Sequence, residues 1–474
     1  MKVLFVEPPK EFWFVMGEYL PPPLGILQLA AYLEQKNKSA EIRVIDCQAH
    51  SLDWNGLEAE IRSFDPDIVA SSGLATCNMY TTIRTLDLAK KVRPDVLTVG
   101  GGQHFTAMAE ESLKAYPELD IVVRGEGEET LSELVRTASK GESLQGVRGI
   151  SFRHNGKVVN NPPMPLIQNL DELPYPAYHL VKDVAHKYHF AMMAGSDVKF
   201  MIVEGSRGCQ YRCTFCTQWK HWNDEWRTKS AKRIADEMEF CFRHYDARFL
   251  WLTDDHFPLD KHASDLCDEI VRREISDKIM WFVQARSDEV VKNKDVLPKM
   301  RKAGNRWILM GAESDRPAIL QEFKKSIDPK ETALAVELLK KNDIFAQLTF
   351  ILGSREDTSD SIAGLRRFAD QVNPDLAIFM ILTPFPGTEI FEAARKEGVI
   401  EDFNWANYDM VHAIMPTQTL SKKQLQEELY KCYRSFYGSW KRRLAGVLSP
   451  NRLKRRTYRY LATRGLLNQL RSNF

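Results

Sequence analysis

Over the first 140 positions, short β-branched apolar runs alternate with longer stretches whose apolar residues recur at helical spacing. KVLFVEPP (2–9), EIRVIDCQ (41–48), DIVASSGLAT (67–76), VLTVGGGQ (96–103) and DIVVRGEGEE (120–129) read as five strands. LGILQLAAYLEQK (24–36) carries its apolar residues on one helical face, and LEAEIRSFDP (57–66) is a helix stopped by proline. Five strands separated by helices predict an α/β fold, a doubly wound Rossmann-like parallel sheet over residues 1–140. Several of these strands run into small residues at their carboxyl ends. Open α/β sheets bind ligands there, and glycine lets the backbone come close to them.

The period then breaks. Residues 141–198 hold an Asn-Gly hairpin signal in GISFRHNGKVVN (149–160), followed by a proline-rich stretch, and read as a connector. From 199 the alternation resumes in FMIVEGS, RFLWLTDD, IMWFVQARS, RWILMGAES, FAQLTFILGS and LAIFMILTP. Six such units up to residue 400 predict a complete or partial (β/α) barrel, whose chemistry sits at the carboxyl ends of its strands. The region 401–474 reads as mainly helical.

The 44% hydrophobic and 27% charged composition is that of a globular protein, and 474 residues suffice for two or three domains. No apolar run is long enough to span a bilayer, and the N-terminus lacks a secretory pattern, so a cytoplasmic protein without a transmembrane segment is expected. No nucleic-acid partner is expected either. The net charge of +1 hides an asymmetry: residues 421–474 hold fourteen Lys and Arg against Glu427 and Glu428, leaving the rest acidic. This basic end reads first as solvated helices, with a docking surface for an acidic partner or a membrane as the alternative.

Of eight cysteines, Cys47, Cys77, Cys241, Cys267 and Cys432 are scattered and read as core or surface thiols. The other three crowd into VEGSRGCQYRCTFCTQW (203–219), at the end of the first barrel strand. Cys209, Cys213 and Cys216 form CxxxCxxC, and three thiolates on one loop can hold three corners of a soft-metal cluster. A structural zinc site needs a fourth ligand in a second pair, which no downstream spacing supplies. A ferredoxin run would read CxxCxxCxxxCP, which this does not.

CxxxCxxC with an aromatic, Phe215, before the last cysteine resembles the radical S-adenosylmethionine (SAM) superfamily. The resemblance implies a 4Fe-4S cluster on Cys209, Cys213 and Cys216 as the catalytic centre, its fourth iron open to SAM. It also implies a low-potential electron donor of the flavodoxin or ferredoxin type and anaerobic chemistry. Later strand ends supply polar or small residues suited to SAM: Asp254 and Asp255, Gln284 and Arg286, Glu313 and Ser314, Gly353, and Thr383. The superfamily commonly carries a Gly-Gly-Glu or acidic equivalent after the second barrel strand, where this chain has the acidic pair Asp254 and Asp255 without the glycines.

The first domain lacks the GxGxxG dinucleotide fingerprint. Ser72-Gly73-Leu74 after the third strand, with Gly100 and Gly101 after the fourth, resembles the SxL…GG pair of cobalamin-binding domains. Arg124-Gly125-Glu126 within RGEGE also resembles the fused cobalamin–radical SAM group. On this resemblance Pro8, Tyr19, Thr76, Gly102, Gln103 and His104 join the expected cobalamin-binding set, covering with the barrel roughly residues 1–400. The histidine motif DxHxxG, which elsewhere supplies a lower cobalt ligand, is absent. His104 is expected against the corrin or its side chains and not on cobalt.

Together the domains imply a cobalamin-dependent radical SAM C-methyltransferase: a 5'-deoxyadenosyl radical activates an unactivated carbon, and methylcobalamin supplies the methyl group. Its substrate would be a peptide, a protein or a small molecule. Among protein-modifying members the resemblance extends to the glutamine C-methyltransferase of methanogens, with no motif that singles it out. The alternatives are an oxidative cyclase of the tetrapyrrole type, with the same domain order, and a non-enzymatic cobalamin sensor, against which the triad argues. Methylthiotransferases carry a second cysteine triad, which Cys47 and Cys77 alone do not make.

Overall fold

The computed structural model describes residues 1–9, 19–73 and 75–464. Its first sheet holds β1 (Lys2–Glu7), β2 (Glu41–Asp46), β3 (Ile68–Ser72), β4 (Leu97–Gly101), β5 (Ile121–Val123), β6 (Ile150–His154) and β7 (Lys157–Asn160), in the order β2-β1-β3-β4-β5-β6-β7. The first five are parallel, as their βα spacing predicts. The strand order reverses between β1 and β3, and a doubly wound sheet opens its ligand crevice at that switch point.

The Asn-Gly turn makes a hairpin, with Asn155 and Gly156 both at positive φ. Its two strands pair antiparallel with the edge of β5, so the first sheet continues past residue 140 into the stretch read as a connector. Parallel β5 would otherwise leave an unpaired row of amides, and the hairpin covers it.

The second sheet is wholly parallel and strictly sequential: β8 (Phe200–Val203), β9 (Phe249–Leu252), β10 (Met280–Ala285), β11 (Asn305–Glu313), β12 (Phe345–Leu352) and β13 (Leu376–Ile381). It is a six-stranded partial barrel with two free edges. Buried tyrosines cap both. On β13, the Tyr437 hydroxyl donates to the Ala377 carbonyl at 2.7 Å and accepts from its amide at 3.0 Å. Tyr433, one turn earlier on the helix Lys422–Gly438, does the same for Phe379 at 2.9 and 3.2 Å. On β8, Tyr178 donates to the Ile202 carbonyl at 2.6 Å, and the Phe200 amide donates to the Tyr188 carbonyl. Each hydroxyl serves backbone groups whose only alternative is burial without a partner. Tyr437→Phe should therefore cost about 1–3 kcal/mol in denaturant unfolding, more than the loss of an exposed hydroxyl, and Tyr433→Phe a similar amount.

The region after 400 is less helical than its sequence suggests. Residues 401–421 are irregular apart from a short turn at Trp405–Asn407, and the helices are Lys422–Gly438, Trp440–Val447 and Arg452–Arg464. Among the described residues no helix is long and apolar enough to cross a membrane. Cys47, Cys241, Cys267 and Cys432 are buried core thiols.

Candidate active site

The cysteine loop leaves β8 through Glu204-Gly205-Ser206-Arg207-Gly208. Two glycines there answer to close contacts. A Cβ on Gly205 would stand 2.9 Å from both carboxylate oxygens of Asp254, and one on Gly208, at φ +86°, would stand 2.0 Å from the Glu225 carbonyl. The loop is thus pressed onto the end of β9. Cys209, Cys213 and Cys216 follow within reach of one another's charge, and burial pushes their thiols up, Cys209 to about 11 and Cys216 to about 12. All three are half-buried, and metal binding would displace the protons of such thiols. Among the described residues no three Cys, His, Asp or Glu side chains are grouped to hold a single ion. Thiolates on one zinc would sit at about 2.3 Å from a common centre.

Acidic and basic groups surround the triad. Asp254 is buried, with the Ser206 hydroxyl and the Gly205 backbone beside its carboxylate. Burial and the charge of Glu204 raise it to about 7. Burial, then the charges of Asp254 and Glu204, raise Asp255 to about 8, and its charge reaches Cys209 and Cys216. A pocket holding two such carboxyls favours a cation. On the facing side, Glu313 sits at φ +59° where the β11–β12 register shifts and forms an ion pair with Lys325. A Cβ on Gly311 would stand 2.0 Å from that carboxylate. Lys325 and Arg286 both present positive charge to Cys213.

The remaining barrel residues are placed as follows. Arg286 holds Asp288 through two bonds of 3.0 Å, donates to the Ser326 carbonyl, and lies 3.9 Å over the Tyr211 ring. Phe215 packs edge-on against Phe323 at 5.1 Å. Gln284 is half-buried at the end of β10, and its carbonyl accepts from Phe257. Ser314 is buried and its hydroxyl caps the Arg316 amide. Thr383 is buried and bonds the Ile381 carbonyl. The missing side chain of Gly353 faces Leu425 of the C-terminal helix at 2.9 Å, and its amide donates to Asp357.

In the first domain, the ends of β3 and β4 meet closely enough to form a shelf of small residues. Gly102 has φ +94°, and a Cβ there would lie 2.9 Å from the Gly73 carbonyl and the Ser72 hydroxyl. The Gly73 amide donates to the Gly101 carbonyl, Gly100 packs against Leu119, and Thr76 is buried beside them. Pro8 is buried at the end of β1. Leu74 lies outside the described residues. His104 is buried against Phe105 and Trp405, with Nδ1 unpartnered among the described residues, and burial lowers it to about 4. It is therefore a neutral imidazole at ordinary pH.

Three residues expected against cobalamin are engaged within the protein. Tyr19 packs into the barrel's aromatic stack beside Phe190, Phe200 and Trp251, at 4.9, 5.7 and 6.2 Å. Arg124 donates to the Ile150 and Asn161 carbonyls, tying the hairpin to β5. Glu126 accepts from Arg207 at 2.5 Å, from Arg227 at 3.1 Å and from the Ile167 amide at 2.6 Å. Arg207 also holds Glu128 at 2.6 Å and Glu204 at 2.9 Å. RGEGE thus anchors the cysteine loop, through an arginine two positions before Cys209. Gly125 donates to the Thr106 hydroxyl.

The two half-sites adjoin. The Gln103 side chain donates to Gln218 at 2.8 Å and accepts from Thr217 at 3.1 Å, the residues directly after Cys216. Thr217, Gln218, Lys325, Arg207 and Trp405 were not singled out from the sequence, since each acquires meaning only through a distant partner.

Comparison with known proteins gives the same pairing of halves. The B12 binding domain family matches residues 16–135 and the Radical SAM superfamily residues 203–369. An uncharacterized methyltransferase of Pyrococcus horikoshii is 34% identical over 92% of this chain and 92% of its own. The chain belongs to the cobalamin-dependent radical SAM enzymes. Its cofactors are a 4Fe-4S cluster, SAM and cobalamin. The anaerobic magnesium-protoporphyrin IX monomethyl ester cyclase of Rubrivivax gelatinosus is 30% identical over 92% of this chain and 77% of its own. Among solved structures, the radical SAM methyltransferase TsrM of Kitasatospora setae, with cobalamin and a 4Fe-4S cluster bound, aligns with a TM-score of 0.73. It is 16% identical, over 100% of this chain and 99% of that one, and so shares the fold.

The residues fit these groups. Three half-buried thiols on one loop are the donor set of a soft-metal cluster. Asp254 offers a buried carboxyl to the SAM ammonium, and the ends of β3 and β4 offer bare glycine backbone and the Ser72 hydroxyl at the switch-point crevice.

Proposed function

We propose that this radical SAM methyltransferase places a methyl group on an unactivated carbon, working where one crevice opens onto both half-sites. The observation that carries this reading is the Gln103 bridge: the shelf after β4 is hydrogen-bonded to the two residues following Cys216. Groups held on the shelf and on the triad then lie close enough to act on one substrate. When bound, the cluster with SAM supplies a hydrogen-abstracting carbon radical, and cobalamin supplies the methyl group.

Cys209, Cys213 and Cys216 hold the cluster, leaving one iron for SAM. Asp254 and Asp255 orient the SAM ammonium, while Lys325 and Arg286 offset the charge of the thiolates and of the SAM carboxylate. Phe215, Gln284, Glu313, Ser314, Gly353 and Thr383 complete the barrel mouth. Ser72, Gly73, Gly100, Gly101, Gly102, Gln103 and Thr76 line the cobalamin side, closed by Pro8. His104, neutral and packed on Trp405, borders the corrin without ligating cobalt. Residues 1–160 form the cobalamin unit and 199–400 the barrel, with the helices between 422 and 464 packed beside it. A flavodoxin or ferredoxin of the cytoplasm delivers the electron, and the substrate is a small molecule or a peptide.

Two uses of SAM follow, one reductive and one as methyl donor. With substrate present, 5'-deoxyadenosine and S-adenosylhomocysteine should accumulate in roughly equal amounts, measured by chromatography of anaerobic reactions. Cyclase chemistry gives the first product without the second.

A further inference from the structure

We propose that the helix Trp440–Val447 docks the enzyme onto an anionic lipid surface. Trp440, Leu444 and Leu448 follow one another at four-residue intervals on this helix and its last turn, at 66%, 51% and 67% exposure. Large apolar side chains are this exposed at few other places among the described residues, and nowhere else do three share one face.

The opposite face is committed to the protein. Arg442 reaches Asp370 at 2.9 Å and lies over the Phe436 ring, and Gly446 admits Tyr458 so closely that a Cβ would stand 2.2 Å from its ring. At 3.6 residues per turn, 442 and 446 lie half a turn from the 440–444–448 row. The apolar row therefore faces outward because the inward face is fixed.

Charge selects the occupant. Several cations of this region are staples to the barrel: Lys454 to Asp375, Arg456 to Asp197 and Lys431 to Glu428. Among the described residues Arg434, Lys441, Arg443, Arg452 and Arg459 pair with no carboxylate. Lys441 and Arg443 flank the apolar row on its two sides; Lys441 lies 6.0 Å over the Trp440 ring, and Arg443 is exposed while its Nε donates to the Tyr437 carbonyl at 2.6 Å. An outward apolar row with a tryptophan, between long cationic side chains that can reach to headgroups, is the pattern of a helix lying in a membrane interface. Because the remainder of the chain is acidic, an anionic surface attracts this end and repels the rest, which fixes the orientation of docking.

The full chain should co-sediment with vesicles of equal parts phosphatidylglycerol and phosphatidylcholine, and far less with phosphatidylcholine alone. The triple variant Trp440→Ala/Leu444→Ala/Leu448→Ala should bind about 100-fold more weakly. Lys441→Gln and Arg443→Gln should each cost about fivefold, an effect that high salt removes. Unfolding midpoints of these surface variants should match the parent. A second reading is the vesicle-induced blue shift and lipid quenching of tryptophan fluorescence, which Trp440→Phe should abolish. Equal vesicle binding by parent and triple variant, or no binding to anionic vesicles, overturns the proposal. So does a concentration-dependent dimer that the triple variant dissolves, since the row would then belong to a second copy of the chain.

Discussion

Replacing Cys213 by alanine should strip the protein of its reconstitutable cluster and end SAM cleavage. The thiol sits mid-loop between Cys209 and Cys216, with the charges of Lys325 and Arg286 turned towards it. Removing a supporting residue around a metal site costs about 10–100-fold, and removing a ligand exceeds that. Iron content and 5'-deoxyadenosine formation in anaerobically reconstituted protein measure the effect. Cys432→Ala, in a buried core thiol on the C-terminal helix, is the control and should keep its iron. Equal iron in both variants would mean that the triad is not the cluster site.

The second large effect is expected away from the metal. Arg207 is buried with three carboxylates, Glu126, Glu128 and Glu204, two of them from the other domain. Arg207→Ala leaves these acids in the interior with Arg227 alone beside Glu126, and breaking a buried ion network in this way costs about 3–5 kcal/mol. Denaturant unfolding of the cofactor-free chain should show that loss. Replacing Glu126 and Glu128 by glutamine in the same chain should recover part of it, because the uncompensated charges are then gone. A loss under about 1 kcal/mol would match a solvated surface pair and not this buried one.

What could be read from the sequence was what is written locally. CxxxCxxC occupies eight consecutive residues, and the strand periods placed Asp254, Asp255, Glu313 and Thr383 at strand ends without any knowledge of tertiary contacts. The shelf of Ser72 and Gly100–Gly102 was legible for the same reason, since small residues after a β-branched run are a local signal. What escaped depends on partners far apart in the chain. Arg207 lies 81 residues from Glu126, and Tyr437 lies 60 residues from Ala377. Tyrosines four residues apart in YKCYRSFYG look like ordinary core positions until a bare strand edge lies beside them. The hairpin could be foreseen from Asn-Gly, but its union with β5 could not, because sheet membership is decided by which edge is free. RGEGE was expected at the ligand, yet its Glu126 is held by Arg207 and Arg227, a role visible only once both domains are folded together.

On the proposed function, SAM is both the source of the radical and, through cobalamin, the donor of a carbon-bound methyl group. SAM carrying a deuterated methyl group, given to the reconstituted enzyme with a reductant and an anaerobic extract of metabolites and peptides, tests it directly. Deuterated methyl bound to carbon should appear in a product, together with S-adenosylhomocysteine, and should be absent with Cys213→Ala. Turnover that yields 5'-deoxyadenosine and a modified product without the label would contradict it and assign the chain to cyclase or other oxidative chemistry.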